Sequence, residues 1–194
     1  MNLFSIAAAS LVFSAAASAQ SLNFSGIVES VPGSANRYTV ACSNAELLSP
    51  DVDLMPFVNQ HVHITGEWNV SYTDPIVYVE AVQAVPQIFA LGGTGQIGMD
   101  LKVSFDADPG TVAFSQIATE PFFLSIGGSG TLFIDLSKVV GSTNGVVPAS
   151  GTLEANLPIP NNPAFVGLEL YAQGATFDSQ GVLNLTNPDC KTII

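Results

Sequence analysis

Residues 97–105 read IGMDLKVSF, and the apolar residues of this stretch occupy every second position. They are Ile97, Met99, Leu101, Val103 and Phe105. Because successive side chains of a strand point to opposite faces of a sheet, this period of two predicts a strand with one buried face. A second layer of structure must cover that face.

Short apolar runs separated by turn residues continue beyond this strand. We predict further strands at 111–116, 122–126, 131–136, 151–157, 164–176 and 182–186. Short strands at such spacing are typical of two packed antiparallel sheets. We therefore predict a β-sandwich domain over residues 97–194.

The region before the sandwich has short strands and one irregular insertion. Strand patterns occur at 24–31, 38–42, 61–68 and 75–82. Residues 44–60 contain Pro50 and Pro56 and predict a short helical turn with a loop. Strands on both sides of a helical insertion resemble a small exported bacterial OB-fold domain, and the resemblance covers residues 22–85. It implies a small β-barrel, a fold that often binds oligonucleotides or oligosaccharides.

The composition also favours β-structure. The chain has 17 Gly and 12 Pro residues, which punctuate runs rich in Val, Ile, Phe, Tyr and Thr. Lys, Arg and Glu, which fill the exposed faces of helices, are scarce. We predict an all-β fold, with a small OB-like barrel followed by an antiparallel β-sandwich.

The first nineteen residues have the features of a secretory signal peptide. Residues 1–19 are apolar or small apart from Asn2, and they end in Ala17-Ser18-Ala19, the small-x-small pattern of a cleavage site. We expect export and cleavage before Gln20; the alternative is an uncut apolar tail. The predicted organisation is a signal peptide at 1–19, a barrel domain at 20–85, a glycine-rich linker at 86–96 and the sandwich at 97–194.

The chain is strongly acidic. Sixteen Asp and Glu residues oppose four Lys and Arg residues, a formal net charge of −12. Such a surface repels phosphate backbones, so nucleic acid is excluded as a partner, and anionic membrane surfaces are disfavoured. Solubility explains the acidity, and the alternatives are a cationic partner or Ca²⁺. Asp106 and Asp108 precede Pro109-Gly110, which predicts a turn rather than a calcium loop.

A second resemblance covers residues 95–194. The stretch 157–173, LPIPNNPAFVGLELYAQ, is followed by Asp178 and by Leu185-Thr186-Asn187. A Pro-x-Pro-Asn-x-Pro turn, Val-Gly, Tyr-x-Gln, an Asp and a final Leu-Thr-Asn strand resemble a β-domain common at the carboxyl end of exported planctomycete and myxobacterial proteins. The flanking cysteine pair usual in that domain is reduced here to Cys190. The resemblance implies a displayed, surface-associated or secreted module and no particular activity.

Cys42 and Cys190 are the only cysteines of the chain. In an oxidising compartment an even number of cysteines favours a disulfide, and we predict one between them. The alternative is two separately buried thiols. A catalytic thiol is disfavoured, because Cys190 lies in a terminal tail and Cys42 in a strand-like context, and neither is at a helix N-terminus.

His61 and His63 lie two residues apart on a predicted strand, so both imidazoles point to one face while Val62 and Ile64 face the core. Two such side chains are able to bind one metal, with Glu67 or Asp74 as a further ligand. Exposed strand histidines explain the same pattern, and we predict no metal and no cofactor.

Trp68 and Tyr72 are the aromatic residues most suggestive of recognition, because they fall where an OB-like barrel opens. Glu67 and Asp74 would supply hydrogen-bond acceptors beside them. The alternative places Trp68 in the barrel core.

No catalytic motif has recognisable spacing. Gly127-Gly128-Ser129-Gly130 departs from the Gly-x-Ser-x-Gly elbow of hydrolases and predicts a loop. We expect an exported, non-catalytic β-rich protein, surface-associated or secreted, without a membrane span after signal cleavage, whose partner would be a glycan or a cell-surface protein. The alternative is a secreted hydrolase with an unrecognised active site.

Overall fold

The computed structural model describes residues 20–34, 37–69, 75–178 and 180–194. Within these ranges the chain forms fourteen β-strands and four short 3₁₀ turns, and it contains no α-helix. The all-β prediction is confirmed. No helix in the described ranges has the length and apolar character needed to cross a membrane. The predicted signal peptide, residues 1–19, lies outside the described residues.

The first five strands close into a barrel in the order β1-β2-β3-β5-β4. They are β1 (Gln20–Ser30), β2 (Tyr38–Val40), β3 (Glu46–Leu48), β4 (His61–Trp68) and β5 (Ile76–Ala84). A 3₁₀ turn at Met55–Phe57 lies between β3 and β4, inside the segment for which a helical turn was predicted. The OB-like barrel is therefore confirmed.

Strands β4 and β5 approach closely at a register shift, and a glycine makes the approach possible. The pairing of β4 with β5 shifts register between Thr65 and Gly66. A Cβ atom on Gly66 would collide with the carbonyl oxygen of Tyr78. Only a residue without a side chain lets the two strands approach this closely.

Nine strands follow the barrel and form three antiparallel sheets. They are β6 (Phe89–Gly92), β7 (Asp100–Asp106), β8 (Val112–Ala118), β9 (Pro121–Ser125), β10 (Thr131–Ile134), β11 (Val139–Val146), β12 (Thr152–Pro158), β13 (Glu169–Phe177) and β14 (Leu183–Thr192). A four-stranded sheet, β11-β8-β13-β14, and a three-stranded sheet, β12-β7-β6, bury a shared apolar core that includes Leu101, Val103 and Phe105. This is the predicted sandwich.

The third sheet is the hairpin of β9 and β10, and the side chains on its two faces pack into different hydrophobic clusters. Phe123 and Phe133 belong to the barrel core. Leu132 and Ile134 instead pack in a separate cluster with Ala118 of β8. Because side chains alternate along a strand, one two-stranded sheet contacts both the barrel and the sandwich.

A buried glutamine fixes this hairpin to the sandwich. The Gln173 side-chain amide donates to the carbonyl oxygens of Thr131 and Thr186, each at 2.8 Å. Its oxygen accepts the Phe133 N–H at 2.8 Å. All the polar atoms of a side chain that is 3% exposed are thus paired, as burial requires.

Several strand boundaries differ from the predicted ones. Strand β7 begins at Asp100, because a turn containing Gly98, with φ of +77°, precedes it and leaves Met99 exposed. The predicted strand 164–176 begins only at Glu169, since Pro163–Phe165 form a 3₁₀ turn. Strand β11 was not predicted, and β6 lies within the segment predicted as a linker.

Candidate functional site

Trp68 lies in the core of the barrel rather than on its rim. Its side chain is 0% exposed, and its indole packs on the ring of Phe123 with centroids 5.0 Å apart and planes tilted by 52°. The sequence left open whether Trp68 lies on the barrel rim or in the barrel core, and the structure places it in the core. A buried ring offers no stacking platform to a ligand in solvent.

The predicted rim also included Glu67, Tyr72 and Asp74, and the structure describes one of these three residues. Glu67 is exposed on β4, next to Trp68. Tyr72 and Asp74 lie outside the described residues. The base of this loop is closed by two hydrogen bonds, in which the Asn69 N–H donates to the Ile76 carbonyl at 3.2 Å and the Ile76 N–H donates to the Asn69 side chain at 3.0 Å.

His61 and His63 alternate with the buried residues Val62 and Ile64, as the period of two predicted. The Nδ1 atom of His63 lies 3.2 Å from the hydroxyl oxygen of Ser25 on β1. In the described part of the chain, no group of three or more His, Cys, Asp or Glu side chains is placed to hold a metal ion.

His61 is half-buried where the barrel meets β14. Burial lowers the pKa of its imidazole below the ordinary 6.5. The backbone of Val85 and Pro86, the side chain of Asn187 and the charge of Asp189 act in the opposite direction. Burial thus disfavours the protonated ring relative to the unfolded chain.

Asp189 beside it is an acid held by backbone donors. Its carboxylate oxygens accept the N–H groups of Leu91 and Cys190, each at 2.8 Å. Burial raises the pKa of Asp189, and these two donors oppose that effect. The adjacent Asn187 bonds the backbone of Phe89 through its amide nitrogen at 2.7 Å and through its oxygen at 3.1 Å. Both side chains thus hold β6 against β14.

The same strand carries the predicted disulfide, which is confirmed. Cys42 and Cys190 are bonded with Cα atoms 5.3 Å apart across a sequence separation of 148 residues. Cys42 lies in the turn after β2 with φ of +60°, a left-handed conformation that few residues other than glycine adopt. The bond joins the barrel covalently to β14 of the sandwich.

The structure also contains a cavity that sequence reasoning missed. It has a volume of about 290 Å³ and lies at one end of the sandwich, between β7 and β12 on one side and β8, β11 and β13 on the other. Its lining includes Leu101, Ile117, Leu157, Phe165 and Leu170, and none of its lining residues is ionisable. The one local signal was the segment Pro158-Ile159-Pro160, which supplies part of the wall.

Comparisons with known proteins add little. The chain matches no protein-family model, and no curated protein matches it. It is similar to the crystal structure of a tetra-tandem repeat in the extending region of a large adhesion protein, with 11% sequence identity and a TM-score of 0.35. The match covers 91% of this chain and 42% of that chain, so this chain spans less than half of the other's length. Similarity this low does not imply a shared function.

Proposed function

We propose that the chain is an exported, non-catalytic β-rich protein, surface-associated or secreted, that binds a glycan or a protein partner. The disulfide between Cys42 and Cys190 carries this proposal. Disulfides persist in oxidising compartments and are rare where thiols are kept reduced. The signal-like composition of residues 1–19 supports the same location.

The buried polar side chains support a non-catalytic role. Gln173, Asn187 and Asp189 all bond to backbone groups and so hold strands together. A catalytic site instead needs polar groups that converge on a space where substrate can enter. The cavity at the end of the sandwich has no titratable side chain in its wall.

The partner contact that we propose is the barrel rim of Glu67, Tyr72 and Asp74. The burial of Trp68 leaves Tyr72 as the aromatic residue of the proposed contact, and we expect the carboxylates of Glu67 and Asp74 to accept hydrogen bonds from hydroxyl or amide groups of the partner. Trp68 lies next to the rim in sequence and is the single tryptophan of the chain, so its fluorescence reports on events there.

Expression of the full chain with cell fractionation tests export. We expect the protein outside the cytoplasm, beginning at Gln20, with no thiol that reacts under denaturing, non-reducing conditions. Cytoplasmic protein with two reactive thiols would contradict the proposal.

Titration with glycans and cell-wall fragments, followed by Trp68 fluorescence, tests the rim. We expect binding to weaken in Glu67→Ala and Tyr72→Ala and to persist in Glu154→Ala, a matched control on the exposed face of β12. Hydrolysis of any ester, peptide or glycoside that a single Asp, Glu or Ser substitution abolishes would refute the non-catalytic role.

A further inference from the structure

The side chains that line the sandwich cavity carry no hydrogen-bonding group. Pro158 and Pro160 have no N–H, and Ile159 between them uses both backbone groups, donating to Met99 at 2.9 Å and accepting from Gly98 at 3.0 Å. The Phe165 N–H donates to the Asn162 carbonyl at 3.0 Å. A polar molecule entering this space would lose hydrogen bonds to water that these side chains cannot replace.

The cavity opens to solvent between β11 and β12, the edge strands of the two sheets. Val140, Pro158 and Pro160 line it and are also exposed, Val140 by 63%. At the other end of β11 no space remains between β11 and β12. A Cβ atom on Gly145 of β11 would lie only 3.0 Å from the Leu153 side chain of β12. One end is thus open and the other is filled.

The size of the cavity sets the length of what it holds. Protein interiors are close-packed, so a space of about 290 Å³ is large for a structural void. A group the size of a water molecule occupies about 30 Å³, so roughly ten such groups fill the cavity. An enclosed apolar cavity of about 150 Å³ stays dry and binds small apolar molecules.

The lining favours an aliphatic chain over an aromatic ring. Leu, Ile, Val and Pro make up the wall apart from Gly141 and Phe165, so a flat ring finds one aromatic partner at most. An open end lets a polar head group remain in water while the chain is buried. The net charge of −12 repels an anionic head group, so an uncharged head group is favoured over an anionic one.

We infer that this cavity is a binding site for the unbranched aliphatic chain of an uncharged amphiphile, about eight to ten carbons long. The inference names a second site, apart from the barrel rim, and rests on the proposed function only in taking the exported protein to be a binding protein. Walls formed by five strands and by the hydrogen-bonded segment 158–165 are in place without the ligand, which lowers the cost of ordering on binding.

Isothermal titration of the purified full-length protein with 1-hexanol, 1-octanol, 1-decanol and 1-dodecanol tests the site. We expect one molecule per chain and an affinity that rises about fourfold per methylene, as the burial of a CH₂ group predicts. The rise should stop at about ten carbons, where the cavity is full. No saturable binding, or a rise that continues unchanged to 1-dodecanol, would overturn the inference.

Gly141 allows the cavity to be filled in steps. A Cβ atom there would meet Leu157 and Ile117 only at 3.8 and 3.9 Å, ordinary contact distances, so Gly141→Ala should fold normally. We expect Gly141→Ala to weaken 1-decanol binding about fourfold, and Gly141→Leu at least tenfold. Ser142→Ala and Ser142→Leu are the matched controls, because Ser142 is exposed on the same strand and does not line the cavity.

Equal binding in wild type and Gly141→Ala would overturn the site even if Gly141→Leu does not fold. Failure of alkanol binding in a protein that is exported and fully oxidised would remove this inference and leave the proposed function. Catalytic turnover, or retention in the cytoplasm, would refute the proposed function. The alkanol titration would then still decide whether the cavity binds an aliphatic chain.

Discussion

The indole of Trp68 and the phenyl ring of Phe123 pack with centroids 5.0 Å apart, although Trp68 ends β4 of the barrel and Phe123 belongs to the β9 hairpin. Phe133 of β10 makes edge-to-face contacts with two further rings, 5.4 Å from Phe123 and 5.3 Å from Phe24 of β1. The barrel core is therefore completed by side chains from much later in the chain. Residues 20–85 alone would leave Trp68 and Phe24 without these partners.

Replacing Phe123 should destabilise the whole protein. We expect Phe123→Ala to lower the free energy of unfolding by about 3–5 kcal/mol, because it removes a fully buried ring and leaves a cavity beside Trp68. Chemical denaturation measures the loss, and the emission of Trp68 should shift to longer wavelength in the folded state. Phe177→Ala, which removes a partly exposed ring, is the control and should cost less than about 1 kcal/mol. Equal losses in the two variants would contradict the shared core.

Loss of the disulfide should reduce stability without changing the fold. In the chain-entropy model a closed loop of 148 residues contributes up to about 5 kcal/mol. We expect the double variant Cys42→Ala, Cys190→Ala to unfold at lower denaturant concentration than the oxidised wild type. Reductant should move the wild type towards the variant and leave the variant unchanged. A variant as stable as the oxidised protein would show that the bond contributes nothing.

Gly174 lies where β13 meets the sandwich core, and it tolerates no side chain. A Cβ atom there would overlap the ring of Phe105 and lie 2.9 Å from the hydroxyl of Thr186. We expect Gly174→Ala to cost about 1–3 kcal/mol through overpacking. Gly128→Ala is the control, since nothing lies within 4 Å of its added Cβ. Thermal denaturation of each variant measures the loss of stability. A melting temperature of Gly174→Ala equal to that of the wild type would contradict the close packing of Gly174 against Phe105.

Acid should weaken the junction around His61. Its pKa is lowered by burial, so the unfolded chain binds the proton more readily, and stability is lost as the pH falls through 6.5. The raised pKa of Asp189 has the opposite sign, because its contribution is present below 3.8 and decreases as the pH rises above that value. We expect the wild type to lose more stability between pH 7.5 and 5.5 than His61→Gln, measured by denaturation at both values. Equal losses would show that His61 does not contribute.

Local patterns were sufficient where a feature depends on neighbouring residues. The alternation of Leu101, Val103 and Phe105 predicted the buried face of β7, and the same period placed Val62 and Ile64 in the barrel core. Pro56 marked the 3₁₀ turn at Met55–Phe57. Strand β11 escaped prediction because Gly141, Ser142, Asn144 and Gly145 have weak strand preference, and its pairing with β8 overrides that preference.

The sequence by itself determined the all-β class and the order of barrel and sandwich, since strand period and turn residues are readable along the chain. It left two alternatives for Cys42 and Cys190, and the structure shows that they are bonded. Only the tertiary structure decided that Trp68 is buried under Phe123 and that a cavity remains beside Gly141. Both depend on which distant segments meet and how well their side chains fill the space between them. Packing of this kind has no local period, so it is absent from any single stretch of sequence.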